Sequence, residues 1–183
     1  MRILILLFFI ALIFSCKSPE PRKPVTRKTD TQFFKESVKV NRKIVERDEK
    51  QIKNVIAADS TNNYQISKRG FWFTFDKEVK NDTLMPKKGD KLIFEYNIQK
   101  LNGETLYTKD DLGVKEYITD QEILFSGLRD GLKMMNEGET ITFLFPSHKA
   151  FGYYGDQEKI KGNMPIKAQV TLLEINPNQN KNQ

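Results

Sequence analysis

The chain has few of the residues on which nucleophilic and metal chemistry depend. Its 183 residues include one cysteine, Cys16, and one histidine, His148. A single cysteine excludes a disulfide within the chain, and no cluster of Cys, His, Asp and Glu has the spacing of a metal site. The sequence also lacks a Gly-x-Ser-x-Gly motif and a Gly-rich phosphate loop. We therefore expect no metal, no cofactor and no covalent intermediate, and we interpret His148 as a turn residue.

Long apolar runs are also scarce, and the one clear example begins the chain. Residues 3–14 are apolar and follow a positive charge at Arg2. The run is too short to span a bilayer well and is typical of a signal peptide, which we predict over residues 1–15. It ends in LIFSC, which resembles a bacterial lipobox and predicts lipidation of Cys16. The alternatives for Cys16 are a free thiol and a signal-peptide residue without a role.

Positive charge exceeds negative charge, and the formal net charge is +6 at pH 7. Much of the excess lies in residues 17–28, beside the predicted anchor. In an exported protein this excess does not indicate a nucleic-acid partner. The stretch either lies against anionic lipid headgroups or is a solvated linker. Because residues 16–31 contain almost no large apolar side chain, we predict a lipidated flexible tether there.

An amphipathic helix is predicted over residues 32–59. Apolar residues recur there at helical spacing and are separated by charged residues. Asn41 and Asp48 interrupt the apolar stripe, which argues against a long coiled-coil seam. We expect the helix to pack against the core of its own chain, and the choice between monomer and dimer stays open. The apolar positions are Phe34, Val38, Val45, Ile52 and Val55 or Ile56.

Short β-forming segments separated by turns follow the helix. Aromatic residues predict a strand within residues 64–76. Residues 91–101 alternate between apolar and polar, which predicts a strand with one face on the core. Asn102-Gly103 then predicts a type I′ hairpin that leads to a strand at 104–108. The core-facing positions of residues 91–101 are Leu92, Phe94, Tyr96 and Ile98.

One short helix separates the later strands. We predict a strand near residues 115–119, a helix over 126–135, and strands at 140–145 and 167–175. Mostly antiparallel strands with one helix between them indicate an α+β fold in which a twisted sheet wraps around that helix. The last residues, 177–183, are polar and are predicted to be disordered.

Four features occur in order along the chain: Tyr96 in its strand, the loop GETLY at 103–107, the helix start FSGLRDG at 125–131 and the turn AFG at 150–152. Together they resemble the FK506-binding (FKBP) type of peptidyl-prolyl cis-trans isomerase. The resemblance implies an FKBP-type domain over residues 64–176. It also implies isomerisation of X-Pro bonds in client proteins and binding of FK506-like macrolides, without a cofactor.

The resemblance also implies an active site in which the helix start and the AFG turn form opposite walls of one apolar pocket. Leu124 and Phe125 match a pair of residues whose backbone receives the bound peptide. Tyr107 stands where the family usually has aspartate, Leu128 where it has tryptophan, and Phe151 where it has tyrosine. Without the resemblance, these apolar residues indicate ordinary core packing. The implied catalytic set is Tyr96, Leu106, Tyr107, Leu124, Phe125, Leu128 and Phe151.

The signal, the tether and the domain together resemble the gliding-motility-associated isomerase lipoproteins of Bacteroidetes. This resemblance implies a membrane-anchored lipoprotein of a Gram-negative envelope that helps to fold or assemble exported proteins. Because KSPE at residues 17–20 lacks an acidic run, we favour a periplasm-facing position. Two alternatives stay open: a catalytically weak chaperone or binding module that uses the same pocket, and a purely structural lipoprotein.

Overall fold

A computed structural model describes residues 29–80 and 84–178 of the chain. The predicted signal peptide, the lipidation site Cys16 and residues 179–183 of the predicted tail lie outside these ranges. Asn178 donates its backbone N–H to Asp90 Oδ1 at 3.0 Å, so the tail prediction is wrong for its first two residues. Within the described ranges, no helix has the length and apolarity needed to cross a membrane.

Helix α1 spans Thr29–Ala58 and confirms the predicted helix. Of its predicted apolar positions, Ile52 is buried and Val55 and Ile56 pack beside it, whereas Val38 is half exposed and does not pack on the core. The helix begins before the predicted start at residue 32, so the end of the predicted tether is helical. The chain divides into two compact units between Glu36 and Ser37, and α1 passes through that boundary. All contacts described below lie in the second unit.

Eight strands within the described residues form one sheet. The main path through the sheet follows the order β1-β2-β7-β8-β3-β6, and β4 joins it by pairing with β5 and β8, when strands are numbered along the chain. Every pairing is antiparallel, which confirms the predicted α+β class. The strands are β1 (Gln65–Ile66), β2 (Trp72–Lys77), β3 (Lys91–Tyr96), β4 (Ile98–Lys100), β5 (Thr105–Tyr107), β6 (Lys115–Ile118), β7 (Thr140–Phe145) and β8 (Ile166–Asn176).

The alternation predicted for residues 91–101 is confirmed in β3 and β4, because all four core-facing positions are buried. The turn that follows is not the predicted type I′. Asn102 does not have the positive φ that a type I′ turn needs, whereas Gly103 has a φ of 90°. Lys100 donates its N–H to the carbonyl of Glu104 at 2.8 Å. The hairpin loop is therefore residues 101–103, one residue longer than predicted, with Gly103 at its end.

Two short helices lie between the strands. Helix α2 (Lys109–Leu112) is a single turn, which the sequence analysis did not predict. Thr108 caps it, since its hydroxyl accepts the N–H of Asp111 at 3.0 Å. Helix α3 (Ser126–Leu132) is shorter than the predicted 126–135. A further 3-10 turn at Ser147–Lys149 contains His148, as expected for a turn residue.

The two faces of the sheet bury different clusters. The outer cluster consists of Ile52 from α1, Trp72 from β2 and Leu144 from β7. The inner cluster lies on the α3 side of the sheet and is far larger, with most of the aromatic residues. Because neighbouring side chains of a strand point to opposite faces, Trp72 faces α1 while Phe73 enters the inner cluster. The main aromatic members of the inner cluster are Phe71, Phe73, Phe94, Tyr96, Tyr117, Phe143 and Phe145.

A buried carboxylate holds α1 on the outer face. Asp48 is fully buried and accepts hydrogen bonds from Ser147, through the backbone N–H at 2.9 Å and the hydroxyl at 2.5 Å. Its other oxygen accepts from Arg47 Nη2 at 2.7 Å. The residue that interrupts the apolar stripe of α1 is therefore the residue that fixes this helix to the start of the 3-10 turn.

Candidate active site

The candidate site, here called the cup, is the place where the inner cluster reaches the surface, and three of the predicted residues form its buried floor. Tyr96, Leu106 and Leu128 are exposed by only 7%, 8% and 0%, and all three belong to the inner cluster. They come from β3, β5 and α3, so the floor joins three separate elements. Burial raises the pKa of the Tyr96 hydroxyl, which is therefore neutral near pH 7.

The rim of the cup is partly exposed and consists of Leu124, Phe125 and Phe151 packed against the inner cluster. The rings of Phe125 and Phe151 lie 5.0 Å apart between centroids. Phe125 also meets Phe145 edge to face at 5.6 Å. The expectation of opposite walls is therefore wrong. The two rings are in contact and form one continuous wall, and the space between them is too small for a proline ring.

A close approach between α3 and β7 sets the position of this wall. A Cβ on Gly127 would lie 2.5 Å from Phe145 Cδ1 and 2.8 Å from the carbonyl oxygen of Lys149. Ser126 also donates its hydroxyl to that carbonyl at 3.3 Å. Since only glycine allows this approach, it brings the start of α3 beside the turn that carries Phe151.

Two hydrogen-bond donors of the site have no partner among residues 29–80 and 84–178. One is the backbone N–H of Phe125, which precedes the first turn of α3. The other is the hydroxyl of Tyr96. A donor in an apolar site gains most from a partner that a ligand brings, because water is scarce there. Both groups can therefore bind a carbonyl oxygen.

Tyr107 differs from the rest of the predicted set because its hydroxyl is hydrogen-bonded to a neighbouring loop. Its hydroxyl donates to Asp156 Oδ2 at 2.5 Å and to Glu158 Oε2 at 3.2 Å, and Lys159 Nζ lies 4.6 Å from its ring centroid. The hydrogen bond to Asp156 raises the pKa of Tyr107 to about 12. This side chain therefore ties β5 to the loop after Phe151.

The same contact acts on the carboxylate of Asp156. Partial burial would raise the pKa of this group, but the hydrogen bonds from Tyr107 and from the backbone N–H groups of Glu158 and Ile160 outweigh it and lower the pKa. Both N–H groups reach Asp156 Oδ1, at 2.9 Å and 2.8 Å. Asp156 is thus an ionised anchor at the centre of the loop.

Helix α1 supports this loop from the outside, which the sequence did not predict. Ser147, held by Asp48, accepts the N–H of Gly152 on its carbonyl at 2.8 Å. Arg47 Nη2 donates to the carbonyl oxygen of Asn163 at 2.5 Å, and Asn163 donates its N–H to the carbonyl of Gly152 at 2.8 Å. The turn that carries Phe151 is therefore linked to α1 at both of its sides.

All seven predicted residues belong to the inner cluster or pack against it, and the hydroxyl of Tyr107 also bonds to the neighbouring loop. The hydrogen bonds of Asp48 and Arg47 were missed because their partners lie far away in sequence. Within the described residues, no group of three or more His, Cys, Asp and Glu side chains could hold a metal ion. The geometry suits a non-covalent process in an apolar environment.

Comparison with known proteins agrees with this architecture. Residues 83–173 match the family model of the FKBP-type peptidyl-prolyl cis-trans isomerases. Over 96 residues, or 51% of this chain, the sequence is 31% identical to the human peptidyl-prolyl cis-trans isomerase FKBP9. The mouse FKBP9 matches with the same identity and coverage. The match spans 16% of the length of these curated relatives.

Solved structures extend the likeness to most of the chain. FkpA from Escherichia coli matches with a TM-score of 0.59 and 19% identity, over 94% of this chain and 81% of FkpA. A peptidyl-prolyl cis-trans isomerase from Pseudomonas syringae matches with a TM-score of 0.58 and 14% identity, over 74% of this chain and 96% of that protein. These structures share the FKBP-like fold. Through residues 83–173, the chain belongs to the FKBP-type peptidyl-prolyl cis-trans isomerase family.

Proposed function

We propose that the chain catalyses cis-trans isomerisation of X-Pro peptide bonds in the apolar cup. The observation that carries this proposal is a partly exposed wall, Phe125 and Phe151, above a buried apolar floor, with an unpartnered N–H at Phe125. Family membership supports the same chemistry. No side chain of the cup needs to change its protonation state or form a covalent bond.

The chemistry depends on amide resonance. The barrier to rotation about a peptide bond is about 18–20 kcal/mol, because rotation removes the partial double bond. The twisted amide has less charge separation than the planar amide, so an apolar cup that excludes water favours it. The wall of Phe125 and Phe151 would contact the proline ring, and Leu128 would lie beneath it.

Hydrogen bonding would orient the bound segment. The N–H of Phe125 lies at the start of α3, where a carbonyl of the substrate backbone can accept it. The hydroxyl of Tyr96 offers a second donor near the floor. Holding the chain on both sides of the bond leaves rotation about that bond as the remaining freedom, which lowers the entropic part of the barrier.

Exchange spectroscopy by nuclear magnetic resonance on a short X-Pro peptide tests this function. We expect the protein without residues 1–16 to accelerate exchange between the cis and trans forms. The variants Phe125→Ala and Phe151→Ala should lose most of that acceleration while they stay folded. Tyr154→Ala is the matched control, because this aromatic side chain is 77% exposed and lies on the same loop.

A second function, a catalytically weak binding module, is favoured by the chemistry of Tyr107 and Phe151. Tyr107 replaces a charged acceptor and uses its hydroxyl within the protein. Phe151 has no hydroxyl to donate. Titration of the same peptide, followed by chemical-shift changes, separates the two functions: binding at the cup without faster exchange would support the module and contradict the enzyme.

The anchor and the cellular role belong to the same proposal. We infer that Cys16 carries acyl chains that hold the domain at an envelope membrane, facing the periplasm, where it assists folding or assembly of exported proteins such as gliding-motility components. The lipobox-like sequence and the basic residues 17–28 support this inference. Mass spectrometry of the N-terminal peptide should find a lipidated Cys16, and Cys16→Ser should move the protein from the membrane fraction to the soluble fraction.

We also propose that the cup binds an FK506-like macrolide. Such a ligand would use the wall and floor of the cup together with the Phe125 N–H. Direct binding of the macrolide, measured by calorimetric titration and lost in Phe125→Ala, would place the ligand in the cup. Binding that persists in that variant would place it elsewhere.

A further inference from the structure

The sheet ends at β1, a strand of two residues that pairs only with β2 among the described strands. Ser67 donates its N–H to the carbonyl of Phe71 at 2.8 Å, so these two residues form a hydrogen-bonded pair. Pairs alternate along an antiparallel ladder, and the next pair, Ile66 with Trp72, is therefore of the non-hydrogen-bonded kind. The N–H and C=O of Ile66 point away from β2, toward the free edge.

The edge at β1 presents one exposed apolar side chain. Ile66 is 69% exposed, although it is large. Proteins blunt sheet edges with short strands, charged residues, proline or a covering element. The strand β1 is short and Lys68 and Arg69 follow it, but the side chain of Ile66 stays exposed. Within residues 29–80 and 84–178, no hydrogen bond uses the backbone groups of Ile66.

A cavity of about 440 Å³ lies on the α1 side of this edge. Ile56, Ala57 and Trp72 give it an apolar lining. Glu49 and Lys53 also line it and form a weak ion pair with each other at 3.6 Å. This cavity therefore favours an apolar side chain.

A second cavity of about 440 Å³ lies on the α3 side of the same edge. Phe73 and Met134 form its apolar part. Lys68 and Arg69 line it without an ion-pair partner among the described residues, whereas Lys133 already pairs with Asp120 at 2.8 Å and the acidic residue Asp130 with Lys149 at 3.3 Å. This cavity therefore favours an apolar stem that ends in a negative charge. Neither cavity includes a residue of the cup.

We propose that β1 is a docking edge for an extended polypeptide segment in which apolar and acidic residues alternate. A strand added to Ile66 would make main-chain hydrogen bonds to its N–H and C=O. Because side chains of a strand alternate between faces, neighbouring residues of that segment would enter the two cavities in turn. Apolar residues would contact Trp72, and acidic residues would meet Lys68 and Arg69. The proposal does not depend on isomerase activity.

Charge favours an acidic segment over two other possible occupants of the β1 edge, which are residues 17–28 and a second copy of the chain. Residues 17–28 of the chain carry mostly positive side chains and do not complement the α3-side cavity. A second copy of the chain carries a net charge of +6, which opposes self-association at a basic edge. An acidic, extended segment of another polypeptide has neither disadvantage.

Trp72 provides a direct measurement, because it is the single tryptophan of the chain and lines the α1-side cavity. The full-length protein in mild detergent would be titrated with a short, proline-free peptide of alternating Val and Glu, and the fluorescence of Trp72 recorded. We expect a saturable change that weakens with salt. The matching Val-Lys peptide should bind about ten-fold more weakly or not at all.

Backbone pairing is tested on both partners. Ile66→Pro removes the outward N–H without removing a ladder bond to β2, whereas Ile66→Val keeps that N–H. We expect the proline variant to bind about three- to ten-fold more weakly and the valine variant to bind nearly as well as the parent. A Val-Glu peptide with alternate N-methyl groups should lose binding to the unchanged protein, which tests pairing even if Ile66→Pro does not fold.

Charge reversal completes the experiment. Lys68→Glu with Arg69→Glu should weaken the Val-Glu peptide about ten-fold and favour the Val-Lys peptide. The control is Lys39→Glu with Lys43→Glu, at exposed positions nearer the start of α1. It makes the same charge change and should have little effect on peptide binding. Three results would overturn the proposed occupant. The Val-Glu peptide could fail to bind saturably, or its N-methylated form could bind equally well. The fluorescence of Trp72 could also change with protein concentration alone.

Discussion

The two faces of the sheet are built on different principles. The inner face buries a continuous aromatic and aliphatic cluster around α3, and the cup is the part of it that reaches the surface. The outer face buries a smaller cluster, Ile52, Trp72 and Leu144 with four partly buried neighbours, and α1 is fixed there by the fully buried Asp48. Packing of many side chains defines the inner face, whereas one carboxylate and its hydrogen bonds define the outer face.

This difference teaches how the candidate site is supported. The floor of the cup depends on close packing, which tolerates little change in volume. The Phe151 turn depends also on α1, because Asp48 binds Ser147 and Ser147 binds Gly152. Damage to the inner face should therefore lower stability and activity together, while damage to the outer face should act on the site through the turn.

The largest effect is expected for Leu128→Ala on the inner face. Leu128 is fully buried at the floor of the cup, and its truncation leaves a cavity. We expect a loss of about 2–5 kcal/mol in the free energy of unfolding, measured by urea denaturation. Leu173→Ala is the control, because that leucine is 40% exposed in β8. Equal losses in the two variants would contradict a packed floor.

An effect of comparable size is expected on the outer face. Asp48→Ala leaves the buried N–H and hydroxyl of Ser147 without their acceptor, at a cost of about 1–3 kcal/mol for each unsatisfied donor. Hydrogen exchange of Gly152 should rise in this variant by more than that of β3 amides. Glu46→Ala, an exposed position on the same helix, serves as control. Unchanged exchange at Gly152 would show that α1 does not support the turn.

A smaller effect is expected for Gly127→Ala, which tests the approach of α3 to β7. The added Cβ would meet both Phe145 and the carbonyl of Lys149. We expect a loss of about 1–3 kcal/mol in the free energy of unfolding and a shift of the Phe125 and Phe151 resonances. Gly131→Ala is the comparison, since its Cβ would meet only the Phe143 side chain, at 3.0 Å or more. A larger loss in Gly131→Ala would be contrary to this geometry.

The smallest effect concerns the hydrogen bond between Tyr107 and Asp156. Because the folded pKa of Tyr107 is raised from 10.0 to about 12, its stabilising contribution is complete below pH 10 and is lost as the pH rises toward 12. The difference in unfolding free energy between the parent and Tyr107→Phe should therefore be constant near neutrality and shrink in alkali. A difference that stays constant through pH 12 would show that the hydroxyl does not make this bond.

Local patterns predicted the strands. Apolar and polar residues alternate within β3 and β4, and a strand buried on one face requires this two-residue period. The fold class follows from the order of those strands and one helix. The type I′ hairpin was wrong because Lys100 and Glu104 close a three-residue loop, 101–103, instead of the two-residue loop that Asn102-Gly103 suggests. Local sequence does not contain the register of distant strands.

The sequence predicted which residues lie in one cluster better than how they are arranged. Phe125 and Phe151 were placed at one pocket, but their mutual contact depends on Gly127 and Phe145, which lie on different elements. Asp48 interrupts an apolar stripe, and its partner Ser147 is 99 residues away. Tyr107 binds Asp156, 49 residues later. Such polar contacts across the fold have no periodic signal in a single sequence.

Refolding of a protein whose slow phase is limited by proline isomerisation tests the central claim most directly. Uncatalysed X-Pro isomerisation takes tens to hundreds of seconds, so catalysis is measured as a faster slow phase. The account predicts acceleration by the parent, loss of acceleration in Phe125→Ala and its retention in Tyr154→Ala. A folded parent that leaves the slow phase unchanged would contradict the proposed isomerase and leave the cup as a binding site.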